Sequence, residues 1–224
     1  MLAEWSGLGY NRRALALRAA ATAVVRDGWP RDVAGLERLP GVGPYTARAV
    51  ASLAFGMPVG VVDTNVRRWL LRRFGGADHS GLLQELSDAL AAPGRGDEIP
   101  AWTHASMELG ASVCRSRAPR CDQCPVAEGC PSRGEATAVP VPRQPPLRGS
   151  DRAYRGALLR ELATAPGHRL SEARARSVLD ADVDRIGPRL DADGWNRVLG
   201  GLVRDGLIQR TRRGILLGAA TIAP

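Results

Sequence analysis

Three groups of residues in this 224-residue chain have types and spacings suited to chemistry. The first is a set of four cysteines, Cys114, Cys121, Cys124 and Cys130, that falls within 17 residues as C-x6-C-x2-C-x5-C. Four thiolates so close in sequence can wrap one metal centre. Zinc sites more often show two close pairs, and here only Cys121 and Cys124 make one. The asymmetric spacing suits a cubane held from one side, since iron–sulfur clusters take four cysteine thiolates. Zinc is the next reading. Disulfides come last, because the N-terminus lacks an export signal and a reducing compartment is expected. Between the first two cysteines stand Arg115, Arg117 and Arg120. Three guanidinium groups on a rigid loop can clamp phosphates, or they simply offset the charge of the thiolates.

The second group is Leu39-Pro40-Gly41-Val42-Gly43-Pro44-Tyr45-Thr46-Ala47. Glycine permits positive φ and close approach of the backbone to a ligand. The amides that open the following helix then face outward, where an anion can sit. A DNA phosphate fits there without base contacts, so the grip would be independent of sequence. A lone Gly-x-Gly reads equally as an ordinary turn, but the full Leu-Pro-Gly-Val-Gly frame is more specific. The third group is Val61-Val62-Asp63-Thr64-Asn65-Val66. Asp before a helix is commonly an N-cap. Beside the hairpin and the cysteine loop the same carboxylate can also serve a site.

Positioning these groups requires helices. Amphipathic spacing predicts them over 11–26, 33–39, 45–55, 63 or 64 to about 74, 82–90 and 102–113. Pro44 suits a first helical turn. Residues 59–62 read as a short extended stretch, and no sustained strand alternation is found before residue 134. Residues 135–150, with Pro140, Pro142, Pro145 and Pro146, read as an extended linker. Beyond it, helices are expected at 151–163, 171–179, 185–190 and 195–204. A hairpin, 207–212 with 215–217, closes the chain around Arg213-Gly214. Helices followed by a hairpin with arginines at its tip suggest a winged helix; a small packing module is the equal alternative. The domain limits expected are therefore 1–134, 135–150 and 151–224. The five tryptophans read as core anchors.

Taken together, Trp5-Ser6-Gly7-Leu8-Gly9-Tyr10, the 39–47 frame, Val62-Asp63-Thr64-Asn65-Val66 and the cysteine spacing make residues 1–134 resemble the helix–hairpin–helix DNA glycosylases. Within them the likeness is to the MutY-type adenine glycosylases. The fold class this implies is mainly α, a helix–hairpin–helix glycosylase fold with an iron–sulfur loop; the pattern of residues 151–224 adds a small C-terminal α/β (winged-helix-like) unit. The resemblance implies removal of adenine mispaired with 8-oxoguanine or guanine in double-stranded DNA. Asp63 matches the catalytic aspartate, while Tyr45 and Asn65 match positions lining its pocket. Gly41, Val42, Gly43 and Thr46 match the phosphate-binding hairpin, and the cysteines match the ligands of a 4Fe–4S cluster. The chemistry is coherent. Glycosidic cleavage builds positive charge at the anomeric carbon, which a fixed carboxylate stabilises. The leaving base needs a proton and must first leave the stack.

Charge and composition narrow the choice. The net charge is +8 and the pI about 10.5, so nucleic acid is the first partner to consider. All 31 basic residues are arginine. With no lysine, no side-chain amine is available for a Schiff base, which favours a monofunctional glycosylase. Endonuclease III, the nearest alternative, places a lysine where this chain has Tyr45. No apolar run approaches a membrane span. A monomer in the cytoplasm, associated with DNA, is expected.

Two departures from the family are expected to matter. Family members carry several tens of residues before the Trp5–Tyr10 motif, including the glutamate that protonates adenine, and no residue here matches it. The chain is expected to start at an internal codon of a longer frame, or to be a truncated product with weak excision and a poorly closed core. A catalytically impaired iron–sulfur DNA-binding protein therefore stays an alternative, and a zinc-stabilised regulator a more distant one. Residues 151–224 are too short and too helical for the Nudix-like domain that many adenine glycosylases use to read 8-oxoguanine. Arg210, Arg212 and Arg213 are expected to touch DNA nonspecifically instead.

Overall fold

A computed structural model describes residue 5 and residues 10–75, 79–135 and 145–218. The residues fall into two compact units, 23–142 and, separately, 1–22 with 143–224. Most of the Trp5–Tyr10 motif and of the proline-rich stretch lies outside the described residues. The first helix, α1 (Arg12–Asp27), contributes to both units.

In the 23–142 unit, α2 (Val33–Glu37) and α3 (Pro44–Phe55) form the expected helix–hairpin–helix. Asp32 caps α2 by accepting from the Gly35 amide at 2.5 Å. Between the helices, Gly41 takes φ +73°, a conformation that costs other residues strain. Leu36, Ala47 and Ala51 are buried at the α2–α3 contact, with Val42 packed against them. Gly56 then ends α3 in the left-handed conformation.

Residues 59–62 cross to α4 (Thr64–Phe74) without pairing as a strand. They dock on α5 (Ser80–Ala91), where Asp88 Oδ1 accepts from the Gly60 amide at 2.7 Å and from Arg48 Nη1 of α3 at 2.6 Å. A second core gathers Val66, Trp69, Leu70 and Leu83. Next comes α6 (Glu98–Glu108), which begins four residues before the expected start; its Pro100 falls in the first turn, where a missing N–H costs little. The chain continues into a π-helical turn, Leu109–Val113, and a 3-10 turn, Cys121–Gln123.

The other unit holds α7 (Asp151–Thr164), β1 (Arg169–Leu170), α8 (Glu172–Ala181), α9 (Val183–Ile186), α10 (Ala192–Arg204), β2 (Ile208–Thr211) and β3 (Gly214–Leu217). Its sheet runs β1-β3-β2, all antiparallel. In β2 and β3 Thr211 faces Gly214, which fixes the hairpin turn at Arg212-Arg213. The core is built on Leu158, Leu162, Trp195, Leu199, Leu202 and Ile215, with Ala14 of α1 buried among them. The helix expected at 185–190 is instead α9 at 183–186, because Gly187 (φ +128°) and Pro188 stop it. Among the tryptophans Trp69 and Trp195 are buried, but Trp29 is 56% exposed, edge-on to Phe55, so it is not a core anchor.

Candidate active site and cysteine centre

The site begins with a cap. Asp63 precedes α4, and its Oδ1 accepts from the amides of Asn65 (2.8 Å) and Val66 (2.7 Å). Two amide donors at the helix start fix the direction in which the carboxylate points. Oδ2 takes a third donor, Asn65 Nδ2, at 3.1 Å. Cap and candidate catalytic group are therefore the same atoms, held in one orientation. Tyr45, in the first turn of α3 and 43% exposed, lies within the electrostatic reach of that carboxylate. Burial raises the Tyr45 phenol above its ordinary value, and the Asp63 charge raises it further. Asp63, Tyr45 and Asn65 thus stand in one neighbourhood at the starts of two helices.

Gly43 caps α3 through its backbone alone, with no side-chain hydrogen bond, and Pro44 follows it. The amides of Tyr45 and Thr46 are left facing outward at the exposed end of the helix. Gly41, Gly43 and Thr46 are exposed, whereas Val42 is half-buried against the hairpin core. A backbone anion cradle fits this end.

Running from Asp63 toward the cysteines are two arginines that sequence reasoning did not single out. Arg68 is 4% exposed and Arg72 3%. Arg68 Nη2 donates to Asn65 Oδ1 at 2.9 Å and to the Gly110 carbonyl, while Nε donates to the Cys114 carbonyl at 2.8 Å. Burial pulls the Arg68 pKa down, partly countered by Cys114 and Asp63. Arg72 Nη1 donates to the Arg115 carbonyl at 2.7 Å and to Cys114 Sγ at 3.5 Å; its Nη2 reaches the Ser116 carbonyl at 3.2 Å. Cys130 Sγ closes back on the Arg72 carbonyl at 3.4 Å. The available signal was a pair of arginines four apart on the stripe of α4 that also carries Trp69.

All four cysteines line one partly open cavity. A single tetrahedral zinc with Zn–S near 2.3 Å needs its sulfurs about 3.8 Å apart. Among the described residues no three His, Cys, Asp or Glu side chains converge that way. Four cysteine side chains around one cavity are the donor set that an iron–sulfur cluster takes, and the Arg72 N–H toward Cys114 Sγ suits a thiolate ligand. Around the ring, Arg117 and Arg120 are exposed, whereas Arg115 is half-buried and donates to the Ala118 carbonyl at 3.0 Å. No helix of the described residues is long and apolar enough to cross a membrane.

Residues 29–53 match the helix-hairpin-helix motif model. The chain is 38% identical over 229 residues to an adenine DNA glycosylase of Mycobacterium tuberculosis, covering 94% of this chain and 69% of that one. It is 38% identical over 222 residues to the adenine DNA glycosylase of Mycolicibacterium smegmatis, with 96% and 71% covered. To the human adenine DNA glycosylase it is 46% identical over 143 residues, 58% of this chain and 25% of that one.

Proposed function

The chain belongs to the MutY-type adenine DNA glycosylases of the helix–hairpin–helix superfamily, and from that premise we propose that it excises adenine mispaired with 8-oxoguanine or guanine, without lyase activity. The observation that carries the reading is the fixed carboxylate of Asp63, held by three donors beside Tyr45.

In this reading the adenine nucleotide leaves the duplex and enters the space by Tyr45 and Asn65. As the glycosidic bond stretches, positive charge grows on the sugar at C1′ and its ring oxygen. The Asp63 carboxylate is already oriented, so little reorganisation opposes its stabilising effect. Asn65 restrains Asp63 Oδ2 and is itself held by Arg68. The Gly41–Gly43 turn and the free amides of α3 grip the backbone of the same strand, with Thr46 beside them. Water adds at C1′ as the glycosidic bond breaks and adenine leaves with a proton taken up on its ring, so the products are free adenine and an abasic sugar. The chain has no lysine, so no side-chain amine forms an imine with that sugar.

Cys114, Cys121, Cys124 and Cys130 would hold a 4Fe–4S cluster, which when bound cross-links the loop and fixes its shape. Arg117 and Arg120 would then present their charges to phosphates from a rigid frame, with Arg115 bracing the turn. The domain limits 1–134, 135–150 and 151–224, the monomeric state and the cytoplasmic setting belong to the same proposal.

Single-turnover cleavage of a duplex bearing adenine opposite 8-oxoguanine tests the reading. Adenine release that Asp63→Asn removes supports it. Release of thymine glycol instead, or strand nicking without added base, would overturn it in favour of endonuclease III-like chemistry.

A further inference from the structure

We propose that the 143–224 unit is a second contact with the DNA backbone, made by the turn between β2 and β3. This inference goes beyond base excision and does not rest on it.

The unit's element order and its sheet order, β1-β3-β2, are those of a helix–turn–helix followed by a β-hairpin wing. The wing is tied to the helices by Arg210 of β2. Its guanidinium bonds both oxygens of Glu172 at the start of α8 and lies 3.4 Å from Asn196 Oδ1 of α10. Arg210 is thereby used up as a strut, which removes it from the expected trio of DNA contacts.

Arg212 and Arg213 at the tip differ. Both are exposed, and neither has a carboxylate partner among the described residues. Their turn is stiffened by Thr211, whose Oγ1 accepts from the Arg213 amide at 3.2 Å and donates to the Gly214 carbonyl at 3.0 Å. Elsewhere in the unit, Arg155 pairs with Asp205, Arg185 with Asp182 and Arg197 with Asp151, whereas the exposed Arg169, Arg174 and Arg204 stand apart from one another in the sequence with no carboxylate partner among the described residues. The tip is thus where two adjacent unmatched charges stand on one braced β-turn. The carboxylates on the neighbouring helices are accounted for. Glu172 is neutralised by Arg210, Asp191 caps α10 through the Gly194 amide, and Asp193 sits in the first turn of α10. Acidic groups at that helix start oppose its entry into a groove. They leave the wing tip as the part that meets phosphate, so the contact carries no base specificity.

The test uses the whole chain and undamaged duplex DNA, with the dissociation constant measured by anisotropy across a salt series. Each phosphate contact contributes about 0.9 to the slope of log K against log salt. Arg212→Ala/Arg213→Ala should therefore flatten the slope by roughly one to two and weaken binding about tenfold at low salt. Arg212→Lys/Arg213→Lys should restore both. An unchanged slope overturns the proposal and leaves the tip for another acidic partner. A loss that lysine does not restore also overturns it, because that outcome makes the turn a structural prop. The DNA carries no lesion, so a failure of adenine excision by this chain leaves the measurement readable.

Discussion

Arg68 holds the main-chain carbonyl of Cys114 at 2.8 Å while its other edge holds the Asn65 side chain at 2.9 Å. One buried guanidinium therefore touches both the turn that orients Asp63 and the first cysteine of the loop.

Arg68→Gln should loosen both ends. Each buried acceptor left without its donor costs about 1–3 kcal/mol, and 1 kcal/mol corresponds to about 2–4 °C in a chain of this size. A fall of several degrees in Tm is expected, together with slower adenine release at saturating protein. Calorimetry and single-turnover cleavage measure the two. An unaltered excision rate would show that the Asn65–Arg68 link does not orient Asp63.

Asp63→Asn separates cap from catalyst. Asparagine caps as well as aspartate, so the unfolding free energy should hold within about 0.5 kcal/mol and Tm should barely move. The charge facing the sugar is gone, and adenine release should fall by roughly 10²–10³. A large drop in Tm with little change in rate would invert the assignment.

The cysteine cavity predicts a visible chromophore. Protein purified without oxygen should carry iron and acid-labile sulfide in equal amounts, and Cys121→Ser should lose both along with affinity for duplex DNA. Stoichiometric zinc in place of iron would overturn the cluster reading.

The Glu172–Arg210 pair sets a pH dependence. The hydrogen bond from Arg210 is the main cause holding the Glu172 pKa below its ordinary 4.5. The folded form binds the proton less readily than the unfolded form, so the pair stabilises above about pH 4.5 and that contribution fades as pH falls further. The pair is partly exposed, which limits it to roughly 0.2–1 kcal/mol. The Tm gap between the parent and Glu172→Gln should be positive at neutral pH and should close in acid. A gap that stays constant down to pH 3 would rule this out.

The α2–α3 hairpin and the Asp63 cap were legible because local chemistry dictates them: Pro44 at a helix start, Gly41 at positive φ, Asp63 ahead of α4. The four cysteines were legible from spacing. Arg68 and Arg72 were not, because an arginine on a helix resembles a solvated residue until the carbonyls of the cysteine loop are seen to cover it. In the second unit, β1 escaped notice because two residues show no alternation. Apolar spacing alone continues through Gly187-Pro188, whereas the backbone of α9 stops at Ile186.

At position 110 the chain has no room to vary. The π-helical turn brings Gly110 so close to Asn65 that a Cβ would strike the Asn65 carbonyl, and the Gly110 carbonyl is itself gripped by Arg68. A single methyl group there would wedge the cysteine-bearing turn away from α4, and the displacement would be felt at the carboxylate two residues before Asn65. Hydrogen is the only side chain short enough to act as spacer between the two.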